Sequence, residues 1–228
     1  MNTNWRVELP LIMLIAAMFA GALMVWPGAP AEIPVHWTVD GSVDGYGGKI
    51  EGLLGLPLLA LAIYLLMRYL PRIDPGRANY ARFGGAYTTL RAGIVVLMAV
   101  LYGVILSSVL KHPLDVSRVV PIAVGALFVL VGTVLGKIRP NWFVGIRTPW
   151  TMSSKISWVR THRLGGWLFM ALGVLFAATG TFKLGSFGFV VIGAVIAVVV
   201  ILFGYSYVVW KADPEKQSPA GTQPADDE

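Results

Sequence analysis

Six uncharged apolar runs punctuate the chain, at Leu9–Trp26, Gly52–Met67, Ala92–Leu110, Val119–Gly136, Leu164–Phe182 and Leu184–Trp210. A helix needs about 20 apolar residues, within a range of roughly 17–25, to cross the hydrocarbon of a bilayer. Five runs fit, the second with Arg68 snorkelling to the interface. The sixth is longer, so it should tilt or project beyond the bilayer on the cytoplasmic side. The pattern predicts an all-α polytopic membrane protein of six transmembrane helices. A small extracytoplasmic cap is expected between the first two helices, and an interfacial cytoplasmic segment between the fourth and fifth. Pro57 and Pro121 fall near the starts of their spans, where a lost backbone bond costs least. Gly132 and Gly136, and Gly173 and Ala177, form small-xxx-small pairs that let helices approach closely.

Charge orients this frame. With both termini inside, the inner segments hold fourteen of the eighteen Lys and Arg residues, and the outer loops hold only Lys49, Lys111, Arg118 and Lys183. Cytoplasmic loops carry such an excess. The expected location is the bacterial inner (plasma) membrane, multi-pass, with both termini cytoplasmic. Ala29-Pro30-Ala31 also resembles the small-x-small cleavage site of a signal peptide. The first run has 18 residues, longer than the roughly 7–15 of a secretory apolar region, so a retained helix is the favoured reading.

Composition narrows the chemistry. The chain of 228 residues is 56% hydrophobic and 13% charged, with a formal net charge of +6. Its basic residues cluster beside apolar runs, which points to orientation and anionic lipid rather than to direct nucleic-acid binding. No cysteine is present, which excludes disulfides, thiolate catalysis and cysteine metal sites. The central part of every span reads as free of ionisable residues. That argues against proton-coupled transport and against the Asp or His machinery of an intramembrane hydrolase.

The outer loop, 27–51, reads PGAPAEIPVHWTVDGSVDGYGGKIE. Its prolines favour extended backbone, Val35–Val39 reads as a short strand, and Asp40-Gly41 and Asp44-Gly45 are turn dipeptides. A small folded cap follows. His36, Asp40 and Asp44 could hold a metal, but their spacing matches neither a zinc motif nor an EF-hand loop. Alternatively, the aspartates close turns and His36 meets lipid headgroups. A further reading makes His36, Trp37, Tyr46 and Lys49 a peptide-recognition patch.

The inner loop, 137–163, carries six Lys or Arg residues, three Trp and no Asp or Glu. Its tryptophans suit the water–lipid boundary. Pro140 and Pro149 interrupt helix, and Gly145 allows a positive φ. Thr151 is the expected N-cap of an interfacial helix leading into the fifth span. Ser154, Trp158 and His162 recur at i, i+4 and i+8 and so share a face. Ser154, Lys155 and His162 contain a nucleophile and possible bases, yet the loop offers no carboxylate to orient them. A basic surface for anionic headgroups, or for an acidic cytosolic partner, is the favoured reading.

The inner segment NWFVGIRTPWTMSSKISWVRTHRLGG resembles the signature of the SdpI immunity-protein family. The resemblance is carried by Asn141, Gly145, Ile146, Arg147, Thr148, Pro149, Trp150, Thr151, Trp158, His162 and Arg163. The outer segment is similar to the N-terminal domain of unknown function that commonly precedes the SdpI region, through Pro34, His36, Trp37, Gly41, Asp44, Gly45 and Lys49. One departure stands out: the family's Gly-Asn-x-x-Pro-Lys is here Gly132-Thr133-Val134-Leu135-Gly136-Lys137. The resemblance implies an N-terminal membrane domain over 1–110 and an SdpI-like domain over 111–210; the polar, Pro-rich composition of 211–228 predicts a disordered cytoplasmic tail. It also implies resistance to a secreted peptide toxin, with His36, Trp37, Asp40, Asp44, Tyr46 and Lys49 as toxin-binding candidates. Sequestration of a cytosolic repressor by the inner surface is implied as well. No catalytic residue, metal or cofactor is expected, and membrane lipids are expected partners. The competing functions are a membrane enzyme using Arg147, Lys155 or His162 at the inner surface, and a small-solute transporter.

Overall fold

The computed structural model describes residues 5–182 and 188–216. It contains helices α1 (Trp5–Val25), α2 (Lys49–Ile73), α3 (Tyr80–Val109), α4 (Val116–Leu135), α5 (Pro149–Ser153), α6 (Lys155–Thr181) and α7 (Gly188–Lys211). Strands β1 (Ile33–Trp37) and β2 (Val43–Gly47) form a hairpin between α1 and α2. All the helices except α5 are long and apolar enough to cross a bilayer, which gives six spans. Large apolar side chains stay outward on them, as with Phe189, Ile192, Ile196 and Val200 of α7. A helix apolar around its whole circumference needs an apolar solvent. This is a multi-pass membrane protein.

The helices extend further than the uncharged runs, because their polar ends turn inward and pair. Helix α3 starts at Tyr80 rather than Ala92, and α6 at Lys155 rather than Leu164. Beyond the uncharged runs, the helices therefore carry ionisable groups. Glu8 of α1 is buried and accepts from the guanidinium of Arg91 on α3 and from the Tyr64 hydroxyl on α2 at 2.6 Å. Arg68 of α2 lies 3.8 Å from the same carboxylate. A buried charge persists only when paired and hydrogen-bonded, so this cluster locks α1, α2 and α3 together. The apolar core of these three helices contains Leu11, Ile15, Met18, Tyr64, Val95 and Tyr102.

A second core joins α2 and α3 to α4 and α6 through Met67, Tyr80, Phe83, Tyr87, Leu135 and Trp158. A third joins α6 to α7. Helices α4 and α6 come closest where glycines face each other. A Cβ added at Gly132 would lie 2.6 Å from the Gly166 carbonyl oxygen, and one at Gly173 would lie 2.7 Å from the Val129 amide nitrogen.

The hairpin pairs antiparallel, Ile33 opposite Gly47 and Trp37 opposite Val43. β1 begins before the expected Val35 because fully buried Ile33 anchors it, against α2 at Gly52. Thr38 to Ser42 form the turn, with Gly41 at φ +88°. Lys183 and Leu184, expected in the last outer loop and at the start of the sixth span, lie outside the described residues. The same holds for 217–228 of the tail. Its described part is anchored: Lys211 ends α7 and Asp213 is buried.

Candidate functional site

The inner motif folds onto the bundle through its own polar side chains. Buried Asn141 donates from Nδ2 to the carbonyls of Arg139 and Val144, each at 2.9 Å. Its Oδ1 accepts from the amides of Phe143 and Val144 at 2.9 and 2.7 Å. That turn docks on the α2–α3 connection. Asp74 accepts from the Trp142 amide at 3.2 Å and from the Tyr80 hydroxyl at 2.8 Å, and Asn79 donates to the Pro140 carbonyl at 2.7 Å. Asp74 and Asn79 escaped sequence reasoning, although Asp74-Pro75-Gly76 is a turn signal that marks such an anchor.

Gly145 sits at φ +122°, and a Cβ there would fall on the His162 ring. Nε2 of His162 accepts from the Ile146 amide at 2.9 Å, and Nδ1 donates to the Trp158 carbonyl at 2.7 Å. An imidazole nitrogen that accepts from an amide carries no proton, so the ring is neutral, with its hydrogen on Nδ1. Trp158 stacks on it at 4.1 Å and donates to the Ile138 carbonyl at 2.9 Å. Thr148 and Thr151 form a reciprocal capping box for α5. Thr148 also donates to Ser206 of α7 at 3.0 Å, and Trp150 meets Phe203 of α7 edge-on.

The expected interfacial helix with Thr151 as N-cap is corrected. The chain breaks at Ser154, which itself caps α6 by accepting from the Ser157 amide at 2.9 Å. Ser154 donates to Asp213 at 2.5 Å, a bond that holds that carboxyl below its usual range. Ser154, Trp158 and His162 do share a face, but it points into the protein. Both His162 nitrogens are engaged by the backbone, so the ring has no free lone pair to serve as a base for Ser154. Lys137, Arg147, Lys155, Arg160 and Arg163 are exposed, and among the described residues no carboxylate pairs with them.

At the opposite end, His36 donates to Asp44 across the hairpin at 2.6 Å. Asp40 turns into its own loop, where it accepts from the Thr38 hydroxyl, the Ser42 hydroxyl at 2.8 Å and the Ser42 amide at 3.0 Å. These bonds hold its carboxyl down to about 2. Lys49 is tied to the Trp26 carbonyl at 3.1 Å. Trp37 packs toward the first core, and Tyr46 is 60% exposed. The structure thus brings His36 and Asp44 together but not Asp40 or Lys49. Beneath the hairpin, between α2, α3 and α4, lies a largely apolar chamber of about 560 Å³ that sequence reasoning did not reach.

Residues 137–206, which contain His162 and the groups it engages, match the SdpI/YfhL protein family. Ahead of them, residues 12–61, which hold the hairpin, match a domain of unknown function (DUF1648). The chain is also similar to the protein named Immunity protein SdpI of Bacillus subtilis (strain 168). The two are 22% identical over 177 residues, which is 75% of this chain and 80% of that protein. No solved structure matches. Within the matched residues, Asn141, Gly145, Thr148, Thr151, Trp158 and His162 all serve to bind the loop to the helices.

Proposed function

We propose that this protein is a membrane immunity protein that protects its cell from a secreted peptide toxin. The likeness to Immunity protein SdpI, which extends over three quarters of the chain, carries this reading. In it, the hairpin end lies outside the bacterial inner membrane and meets the toxin with His36, Trp37, Asp40, Asp44, Tyr46 and Lys49. The SdpI/YfhL end lies inside, where both termini are. Its exposed Arg147, Lys155, Arg160 and Arg163 face anionic headgroups and offer an acidic cytosolic partner, such as a repressor, a basic surface. Coupling between the two ends needs two states of the bundle with different affinity for each ligand.

Expression in a bacterium sensitive to membrane-active peptides tests the reading. Survival should rise against at least one secreted peptide, and the hairpin substitution Trp37→Ala should lower it. A strain that gains no survival against any such peptide sinks the proposal.

A further inference from the structure

The chamber under the hairpin has two unlike walls. On the cap side the lining is five consecutive residues, Val35 to Val39, and none from β2. Val35 to Trp37 belong to β1 and Thr38 and Val39 to the turn. No residue of β2 lines the chamber, so it lies along the side of β1 turned away from β2. The sheet has two strands, so β1 pairs with β2 along one edge and presents unpaired N–H and C=O groups along the other. Such an edge is a template for another extended chain.

The helical wall is aliphatic, with Leu56 of α2, Val104 and Ile105 of α3 and Val120 of α4. Gly55 opens it, since a Cβ there would meet nothing within 4 Å. One turn away on α2, Glu51 is part of the lining, with its carboxylate beside Gly47, and among the described residues no cation is paired with it. A volume of about 560 Å³ is that of a ligand site.

We propose that this chamber receives an extended, apolar peptide segment bearing a basic side chain. The inference rests on the reading that the hairpin end meets a peptide toxin. The backbone of the segment pairs with the free edge of β1, its alternate aliphatic side chains fill the chamber, and its basic group meets Glu51. An aminophospholipid also offers apolar chains and an amine, but it has no row of amides to answer a strand edge.

The test uses the full chain in phosphatidylcholine nanodiscs and a fluorescent, end-capped Leu-Val-Lys-Val-Leu peptide read by anisotropy. Wild type should bind it at least tenfold more tightly than the same peptide with Glu in place of Lys, and should not bind the backbone-N-methylated form. Gly55→Leu should abolish binding. Gly193→Leu, at another position where a Cβ meets nothing within 4 Å, should not. Glu51→Lys should reverse the charge preference, which keeps the test decisive even where Gly55→Leu folds poorly. Absence of peptide binding, equal binding of the N-methylated peptide, or unchanged binding by Gly55→Leu overturns the proposal. So does native mass spectrometry from phosphatidylethanolamine vesicles that finds a lipid retained by wild type and lost from Gly55→Leu while the peptide fails to bind. A strain protected equally by wild type and Gly55→Leu overturns the chamber and leaves the protective role standing. A strain that wild type does not protect removes that role, and anisotropy alone then decides the chamber.

Discussion

Gly145 and His162 solve one problem together. Where the chain returns to the bundle, the Ile146 amide would be unpaired, and the His162 ring reaches it only because position 145 has no Cβ and accepts φ +122°. Gly145→Ala should therefore cost about 1–3 kcal/mol from backbone strain alone, with the clash on the ring in addition. Thermal unfolding in detergent should show the loss, and an unchanged midpoint would refute this account of the glycine. Asp40 makes a different kind of claim. Its folded pKa is depressed from 3.8 to about 2, chiefly by the Thr38 hydroxyl. A depressed carboxyl contributes stability that is present above its unfolded value near 3.9 and is lost as pH falls through the folded one. The Thr38–Ser42 turn should thus keep its amide shifts from neutrality to about pH 4 and lose them towards pH 2. Amide NMR of Gly41 and Ser42 checks this; a transition centred above pH 4 would contradict it.

Between elements, the closest approach is that of α4 to α6. Gly125 and Gly132 face Gly166 and Gly173 with carbonyl oxygens and amide nitrogens directly opposite. Gly173→Ala places a methyl against the backbone of Val129, and overpacking of this kind costs about 1–3 kcal/mol. Chemical unfolding of the detergent-solubilised protein should register it, while Gly193→Ala on the outer side of α7 should be neutral. The six spans, a folded outer cap and the inner loop were legible in the sequence because each has a strong local signal: apolar length, turn dipeptides, Pro and Gly breaks; the second strand was not, since Asp44-Gly45 reads as a turn but lies inside β2. The inward extension of α3 and α6 was not, since a charged residue next to an apolar run reads as its boundary. Whether Arg91 ends a span or lies inside one depends on Glu8, eighty-three positions away. The motif residues were legible as a set, but not as the polar knot they form, because their partners Asp74, Asn79, Ser206 and Asp213 come from other elements. The Glu8–Arg91 pair gives its own test. Arg91→Met leaves a buried carboxylate without its main cation and should cost about 3–5 kcal/mol. Adding Glu8→Gln should restore much of that loss, and a double variant no better than Arg91→Met would break the argument.

For the whole molecule, two dissimilar ends need a membrane to tell them apart. One end carries the compact His36–Asp44 hairpin; the other carries Lys137, Arg147, Lys155, Arg160 and Arg163 on its surface without carboxylate partners among the described residues. Unpaired basic residues beside spans are retained on the cytoplasmic side during insertion, where anionic lipid also attracts them, at about 1 kcal/mol each. The proposed function depends on this bias, which would leave the hairpin end where a secreted peptide can reach it. The chain lacks cysteine, so single-cysteine variants report position without background. Tyr46 and Lys155 are both exposed, and neither makes a hydrogen bond through its side chain among those described. On intact cells a membrane-impermeant maleimide should label Tyr46→Cys at once and Lys155→Cys only after permeabilisation. The reverse pattern would turn the bundle over, place the hairpin and its chamber in the cytoplasm, and end the case for a toxin-facing cap whatever the resemblance to an immunity protein.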